Sequence, residues 1–309
     1  MICAYCGSDS KKTREHIISK SVLDLFPECD LTFSSNKDKP FFAEPVIKDV
    51  CANCNNNLIN YIDSYAKKII KTYFLKTYEK DDEVSIEYNY TLLVKVLLKY
   101  AFNDMRSKKI DTSYFDNNIK EFLMNKNNNT ITKPISILGG LNINTSFCPS
   151  FLFDNMKLRW IYNPILLDNS LIRFYDENTG QIYLREELKR WIDDKLILSY
   201  IFKFNSGQFI LLCWDSEESK IFYDRLLTIQ YPYTLLSENN KNVFKRCTHA
   251  YNWDNIWLVD VIWGMGLADM TNSCIDQRID PIEMQKILNQ DWEKHENEIR
   301  EKKKNSKKG

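Results

Sequence analysis

A chain of 309 residues exceeds one average domain, and its composition, 44% apolar and 13% aromatic, excludes extended disorder. Lys+Arg and Asp+Glu both number 42, which excludes a global basic field of the kind that non-specific nucleic-acid binders carry. A phosphate-binding surface, if present, must therefore be local or come from a partner chain.

The N-terminus, MICAYCGSDS, lacks a charged start and a long apolar stretch, so no signal peptide is read. No run approaches the roughly 18 apolar residues of a membrane span. The stretch Leu92 to Leu98 is broken by Lys95 and bounded by Lys99. A cytoplasmic protein with no membrane partner is expected. Five of its nine cysteines (Cys29, Cys148, Cys213, Cys247 and Cys274) have no pattern and read as buried apolar residues in a reducing compartment.

In chain order, residues 1 to about 50 are short and loop-rich, with a polar insert from Ser34 to Pro40 between two candidate strands. From Asn55 the apolar residues Leu58, Ile59, Ile62, Ala66, Ile69, Ile70 and Tyr73 recur every three or four positions, which predicts an amphipathic helix. A polar run, Lys80 to Glu83, marks a boundary. It is followed by a strand pattern from Val84 to Tyr88 and by helices from Leu92 to about Met105 and from about Phe115 to Leu123.

Beyond Lys126 to Thr130 the pattern turns to strands, at Leu158 to Tyr162, Leu171 to Tyr175 and Gln181 to Leu184, the last two joined by Asn178-Thr179-Gly180. Leu198 to Phe204 and Gln208 to Trp214 flank Asn205-Ser206-Gly207 as a second hairpin. Glu283 to Lys304 reads as a charged helix leading into a lysine-rich tail. The expected division is a domain over 1–80, an α+β domain of regulatory or target-binding role over 81–300, and a tail over 301–309. The aromatic residues of the second domain, Trp160, Trp191, Trp214, Trp253, Trp257 and Trp263 among them, read as core and sheet packing.

Cys3-Ala-Tyr-Cys6 and Cys51-Ala-Asn-Cys54 are two CxxC knuckles. Thiolates at i and i+3 bind one metal from a tight turn, and a second pair completes the tetrahedral sulfur set of a closed structural zinc site. Gly7, directly after the first knuckle, suits the backbone that such turns need. Between and after the knuckles stand Arg14-Glu15-His16-Ile17-Ile18 and Asn55-Asn56-Asn57, and His16 is one of only three histidines.

This order, CxxC, then EHII, then CxxCNNN and an amphipathic helix, resembles the zinc-containing branch of the HNH endonucleases over roughly residues 1 to 70. The resemblance implies an α+β protein with a zinc-stapled ββα-metal finger at its N-terminus and a mixed α+β domain after it. It implies a metal-dependent endonuclease that hydrolyses DNA phosphodiesters. By the same resemblance His16 would be the general base, and Glu15 and Asn55 would hold a catalytic Mg²⁺ or Mn²⁺ ion. An imidazole is largely neutral at cytosolic pH, which suits a base, and Mg²⁺ tolerates few protein ligands because it keeps several waters.

Arg14, Lys67 and Lys68 are candidate phosphate contacts, which would position nucleic acid without reading sequence. The family's middle Asn, which helps to orient the histidine, is absent; counting back from Asn55 lands on Val46. Asp63 lies too far along the helix for the same metal and is expected to anchor a loop or a basic residue. Duplex DNA is the expected substrate, with RNA as the competing one. A homodimer would provide the two sites needed to cut both strands, and the second domain would receive a partner or trigger, as in anti-phage defence or restriction effectors. The contrasting expectation is a non-catalytic zinc-knuckle module that binds nucleic acid or protein.

Overall fold

A computed structural model describes residues 2–27, 32, 44–76, 78, 82–141, 165–168, 195–230 and 233–245. The expected strands between 158 and 184, the helix from Glu283 and the lysine-rich tail lie outside the described residues. So do Cys29, Cys148, Cys247 and Cys274, and every Trp named above except Trp214.

Helices and strands are mixed throughout, as the α+β expectation required. The strands β1 (Lys12–His16) and β2 (Val46–Cys51) pair antiparallel, with a bulge between Thr13 and Glu15. A short helix, α1 (Lys20–Leu23), follows β1. After β2 the chain makes one wide helical turn, Cys54–Leu58, and continues as α2 (Asn60–Ile69) into a second wide turn, Ile70–Phe74. Ile62, Ala66, Ile69 and Ile70 are buried as the three- and four-residue spacing predicts.

The strand expected from Val84 is β3 (Val84–Glu87), and the helices expected after it are α3 (Tyr90–Lys108) and α4 (Asn117–Met124). Asn89 caps α3 by accepting from the Leu92 amide at 2.8 Å, and Asp116 caps α4 through the Ile119 amide at 3.0 Å. Lys109, in the left-handed region at φ 58°, ends α3. Every residue of α3 from Leu93 to Met105 is buried, which makes it the central helix rather than a surface one.

Five strands form an antiparallel sheet in the order β5 (Ile165–Asp168), β6 (Leu196–Phe204), β7 (Gly207–Trp214), β4 (Ile135–Leu141) and β8 (Thr234–Leu235). The hairpin β6–β7 turns at Asn205 and Ser206, with Asn205 at φ 52°. A helix, α5 (Glu217–Gln230), follows β7, and β9 (Lys241–Phe244) pairs with β3. The described residues belong to one compact unit, and a single core cluster runs from Cys3 through α2 and α3 into β6 and β7, so the core is continuous across residue 80. No helix among the described residues is long and apolar enough to cross a membrane.

Candidate functional site

The four knuckle cysteines converge: their sulfur atoms all lie within 4.8 Å of one another. Gly7, at φ 71°, lets the first knuckle close with its amide donating to the Cys3 carbonyl at 3.0 Å. The amides of Cys51 and Cys54 donate to the sulfurs of Cys3 and Cys51 at 3.3 and 3.4 Å. Such donation stabilises thiolates, the form a metal requires. Burial opposes ionisation of Cys51, yet the Cys54 amide and the neighbouring thiols outweigh it and bring the group down to about 6. The Ser8 hydroxyl lowers Cys6 against a smaller effect of burial. Burial pushes the Cys54 thiol up. Four convergent sulfurs, three of them buried, fit a closed zinc site, and Cys3, Cys6, Cys51 and Cys54 would hold it.

His16 ends β1 directly opposite Val46 on β2. Its side chain is 24% exposed, and its Nε2 lies 2.7 Å from Glu44 Oε2. The other oxygen of Glu44 accepts from the Lys20 ammonium at 2.6 Å. Lys20 first, and His16 after the opposing effect of burial, hold the Glu44 carboxyl below the usual range. The Ile17 amide donates to the Pro45 carbonyl at 3.0 Å and ties these two segments together.

Glu15 faces the other way. It is 3% exposed, and its Oε1 lies 2.9 Å from the Lys99 ammonium and 3.3 Å from Asn103 Nδ2. Successive strand residues point to opposite faces, and here that alternation holds: the acidic residue is drawn into the core by a buried lysine while His16 stays outside. The expected metal ligand is thus a counter-ion, and its carboxylate does not fit a cation beside His16. Lys99 also lies 2.6 Å from Asp63, the basic partner expected for that residue.

Asn55 sits at the start of the helical segment after β2. Its amide nitrogen donates to Thr13 Oγ1 at 2.9 Å and to the Arg14 carbonyl at 3.0 Å, pinning β1 from one side. Asn103 pins it from the other, donating to the carbonyls of His16 and Ile17 at 3.1 and 3.3 Å. Asn103 Oδ1 in turn accepts from the Tyr5 hydroxyl at 2.9 Å and from Arg106. Arg106 pairs with Asp49 at 2.6 Å and lies over the Phe102 ring at 4.2 Å. One buried polar network thus joins the first knuckle, β1 and β2 through α3.

Arg14 and Lys48 are exposed on the β1–β2 ribbon, and Lys67 and Lys68 are exposed on the last turn of α2. Arg14, unlike Lys67 and Lys68, therefore shares a strand with His16. Sequence reasoning passed over Glu44, Lys20, Lys99 and Asn103. Glu44 carried a usable signal, because it is a carboxylate only two residues before Val46, the position where the orienting Asn was expected. No family model, curated protein or solved structure matches this chain.

Proposed function

We propose that this protein is an HNH-type endonuclease that hydrolyses phosphodiester bonds of duplex DNA, with His16 as the general base. The observation that carries the reading is the setting of His16. It is partly exposed at the end of a ribbon stapled by four convergent cysteines, with one ring nitrogen anchored and with exposed Arg14 and Lys48 on the same ribbon. In this reading a water gives its proton to His16, its oxygen bonds phosphorus and the P–O3′ bond breaks. The 3′ oxygen takes a proton from solvent, and the imidazolium returns its proton to solvent. Arg14 and Lys48 offer charge to the phosphate.

A divalent cation such as Mg²⁺ or Mn²⁺, when bound, would relieve charge on the phosphate and on the departing oxygen. Glu15 is committed to Lys99, so no step is assigned to it. The oxygen donor that remains from the expected pair is the Asn55 amide oxygen, for which no protein partner stands among the described residues. The withdrawal of Glu15 favours a second reading, a non-catalytic zinc module whose EHII segment only builds the strand.

Supercoiled plasmid incubated with the full chain in Mg²⁺, in Mn²⁺ and in EDTA, beside a His16→Ala variant with its zinc content verified, separates the two. Metal-dependent nicking or linearisation that vanishes in the variant supports the nuclease. Cutting undiminished in the variant removes His16 from the chemistry, and binding of DNA with no cutting by either protein favours the module. Single-stranded DNA and RNA substrates in parallel test the preference for duplex DNA, and sedimentation tests the homodimer.

A further inference from the structure

Val46 stands where an orienting Asn is expected, directly across from His16, and has no polar group to offer. A base needs its second ring nitrogen bonded to something, since that bond fixes the tautomer and the orientation of the ring. Glu44 Oε2 lies 2.7 Å from Nε2, a charge-assisted hydrogen-bond distance.

The chain around Glu44 is built to hold that contact. Glu44 precedes Pro45, and a residue before proline is driven into the extended region, which restricts where its side chain can project. The Pro45 carbonyl accepts from the Ile17 amide, one residue past His16, so the two backbones cannot drift apart. Lys20, at the start of α1, holds Oε1 at 2.6 Å and leaves Oε2 for the ring. A carboxylate with both oxygens occupied by protein donors is an orienting group rather than a cation ligand.

We infer that Glu44 is the positioning residue of His16: its carboxylate takes the Nε2–H and leaves Nδ1 as the nitrogen that accepts the proton from water. The inference rests on the nuclease reading for its chemistry, and not for the pairing itself. It assigns to Glu44 the orienting work that the missing Asn does elsewhere. It also leaves Glu15 a purely structural residue.

The test uses the full zinc-loaded chain as wild type, Glu44→Ala and Glu44→Gln, with zinc content and circular dichroism verifying the fold. Two readouts are taken: steady-state plasmid cleavage, and long-range ¹H–¹⁵N spectra of the imidazoles at alkaline pH, with the His16 signals identified by their loss in His16→Asn. Glu44→Ala should lower kcat about 10- to 100-fold with KM unchanged, the range found when the hydrogen-bond partner that orients a metal-ligating histidine is removed. Glu44→Gln, whose amide oxygen still accepts the Nε2–H, should stay within a few-fold of wild type.

The wild-type ring should show a protonated Nε2 and a bare Nδ1, and Glu44→Ala should turn this into a mixture of tautomers. A wild-type His16 protonated at Nδ1, a ring unchanged by Glu44→Ala, or equal activity of Glu44→Ala and wild type would overturn the assignment. If the wild type cuts no nucleic acid, the nuclease reading fails. The spectra still decide the pairing, since a ring released by Glu44→Ala upholds it and an unaltered ring ends it.

Discussion

Lys99 Nζ lies 2.9 Å from Glu15 Oε1, with side-chain exposures of 0% and 4%, so the carboxylate next to the candidate base in sequence belongs to the core and not to the site. Asp63 on α2 meets the same ammonium at 2.6 Å, which places two carboxylates on one cation. Hydrogen bonds from Asn103 to Glu15 and from Tyr100 to Asp63 share the excess negative charge. The arrangement welds β1, which carries His16, to α2 and to the central helix α3.

Removing Lys99 should therefore be costly. Breaking a buried pair leaves an uncompensated charge and costs about 3–5 kcal/mol, and Lys99→Met should fall in that range by urea denaturation at pH 7. Burial raises the Asp63 pKa and Lys99 opposes it, so in Lys99→Met the Asp63 carboxyl favours the protonated form still more. A folded-state pKa above the unfolded one gives stability at low pH that is lost as pH rises. The deficit should accordingly shrink on going from pH 7 towards pH 5. Glu15→Gln and Asp63→Asn added to Lys99→Met should recover much of it, and a triple variant no better than Lys99→Met would refute the account.

Lys95, one turn earlier on α3, is buried without a carboxylate partner among the described residues. Its ammonium donates to the Asn125 carbonyl at 2.7 Å and lies 4.6 Å from the centre of the Phe122 ring. Burial brings this lysine down to about 8. A lysine with a lowered folded-state pKa destabilises while it stays charged, and the penalty lifts as pH rises from about 8 towards its ordinary value. Lys95→Met should thus be more stable than wild type at pH 7, by about 1–2 kcal/mol once the lost cation–π contact is allowed for. The gap should narrow at pH 10, read as the difference in urea midpoints. A gap independent of pH would show that packing, not charge, sets it.

Hairpin β6–β7 is seated on the end of the helical segment by glycine. A Cβ at Gly207 would stand 2.5 Å from the Phe74 ring, while Asn205 Nδ2 and Ser206 Oγ donate to the Phe74 carbonyl at 2.7 and 3.0 Å. Both the ring and the backbone of Phe74 are fixed, so Gly207→Ala must displace the turn and should cost about 1–3 kcal/mol. Phe74→Leu in the same chain should relieve part of that loss in thermal denaturation. Additive losses would place the strain elsewhere.

The parts of this molecule legible in the sequence are those written in local periodicity or in ligand spacing. The knuckles, the apolar stripe of α2, the body of α3 from Leu92 to Met105 and the Asn205-Ser206-Gly207 turn all declare themselves within a few residues, although α3 itself extends from Tyr90 to Lys108. What was hidden depends on partners far along the chain. β4 is buried on both faces and carries no alternation, so Ile135–Leu141 gives no strand signal of period two. Lys95 and Lys99 read as interruptions of an apolar run, because only the fold brings Glu15 and Asp63 to one and two aromatic rings to the other. The direction of Glu15 follows from strand alternation, but which face was the core depended on α3.

The sulfur cluster closes a loop of the chain between the two knuckles. It joins the first knuckle to the end of β2 and the start of the helical segment, where the Ala4 amide also donates to the Asp49 carbonyl at 2.9 Å and Tyr5 reaches Asp49 through Asn103 and Arg106. Mass spectrometry of the native chain should find one zinc per molecule. Because the ligands must be thiolates, zinc should be released as pH falls, and earlier in Cys54→Ser than in wild type. Chelation should not unfold everything, since much of the core cluster is contributed by α3, β4, β6 and β7, none of which carries a cysteine ligand. Hydrogen exchange after EDTA should rise first at residues 2–16 and 46–58 and leave β6–β7 protected. Exchange that accelerates uniformly over both regions would mean that the staple holds the whole unit and not the ribbon alone.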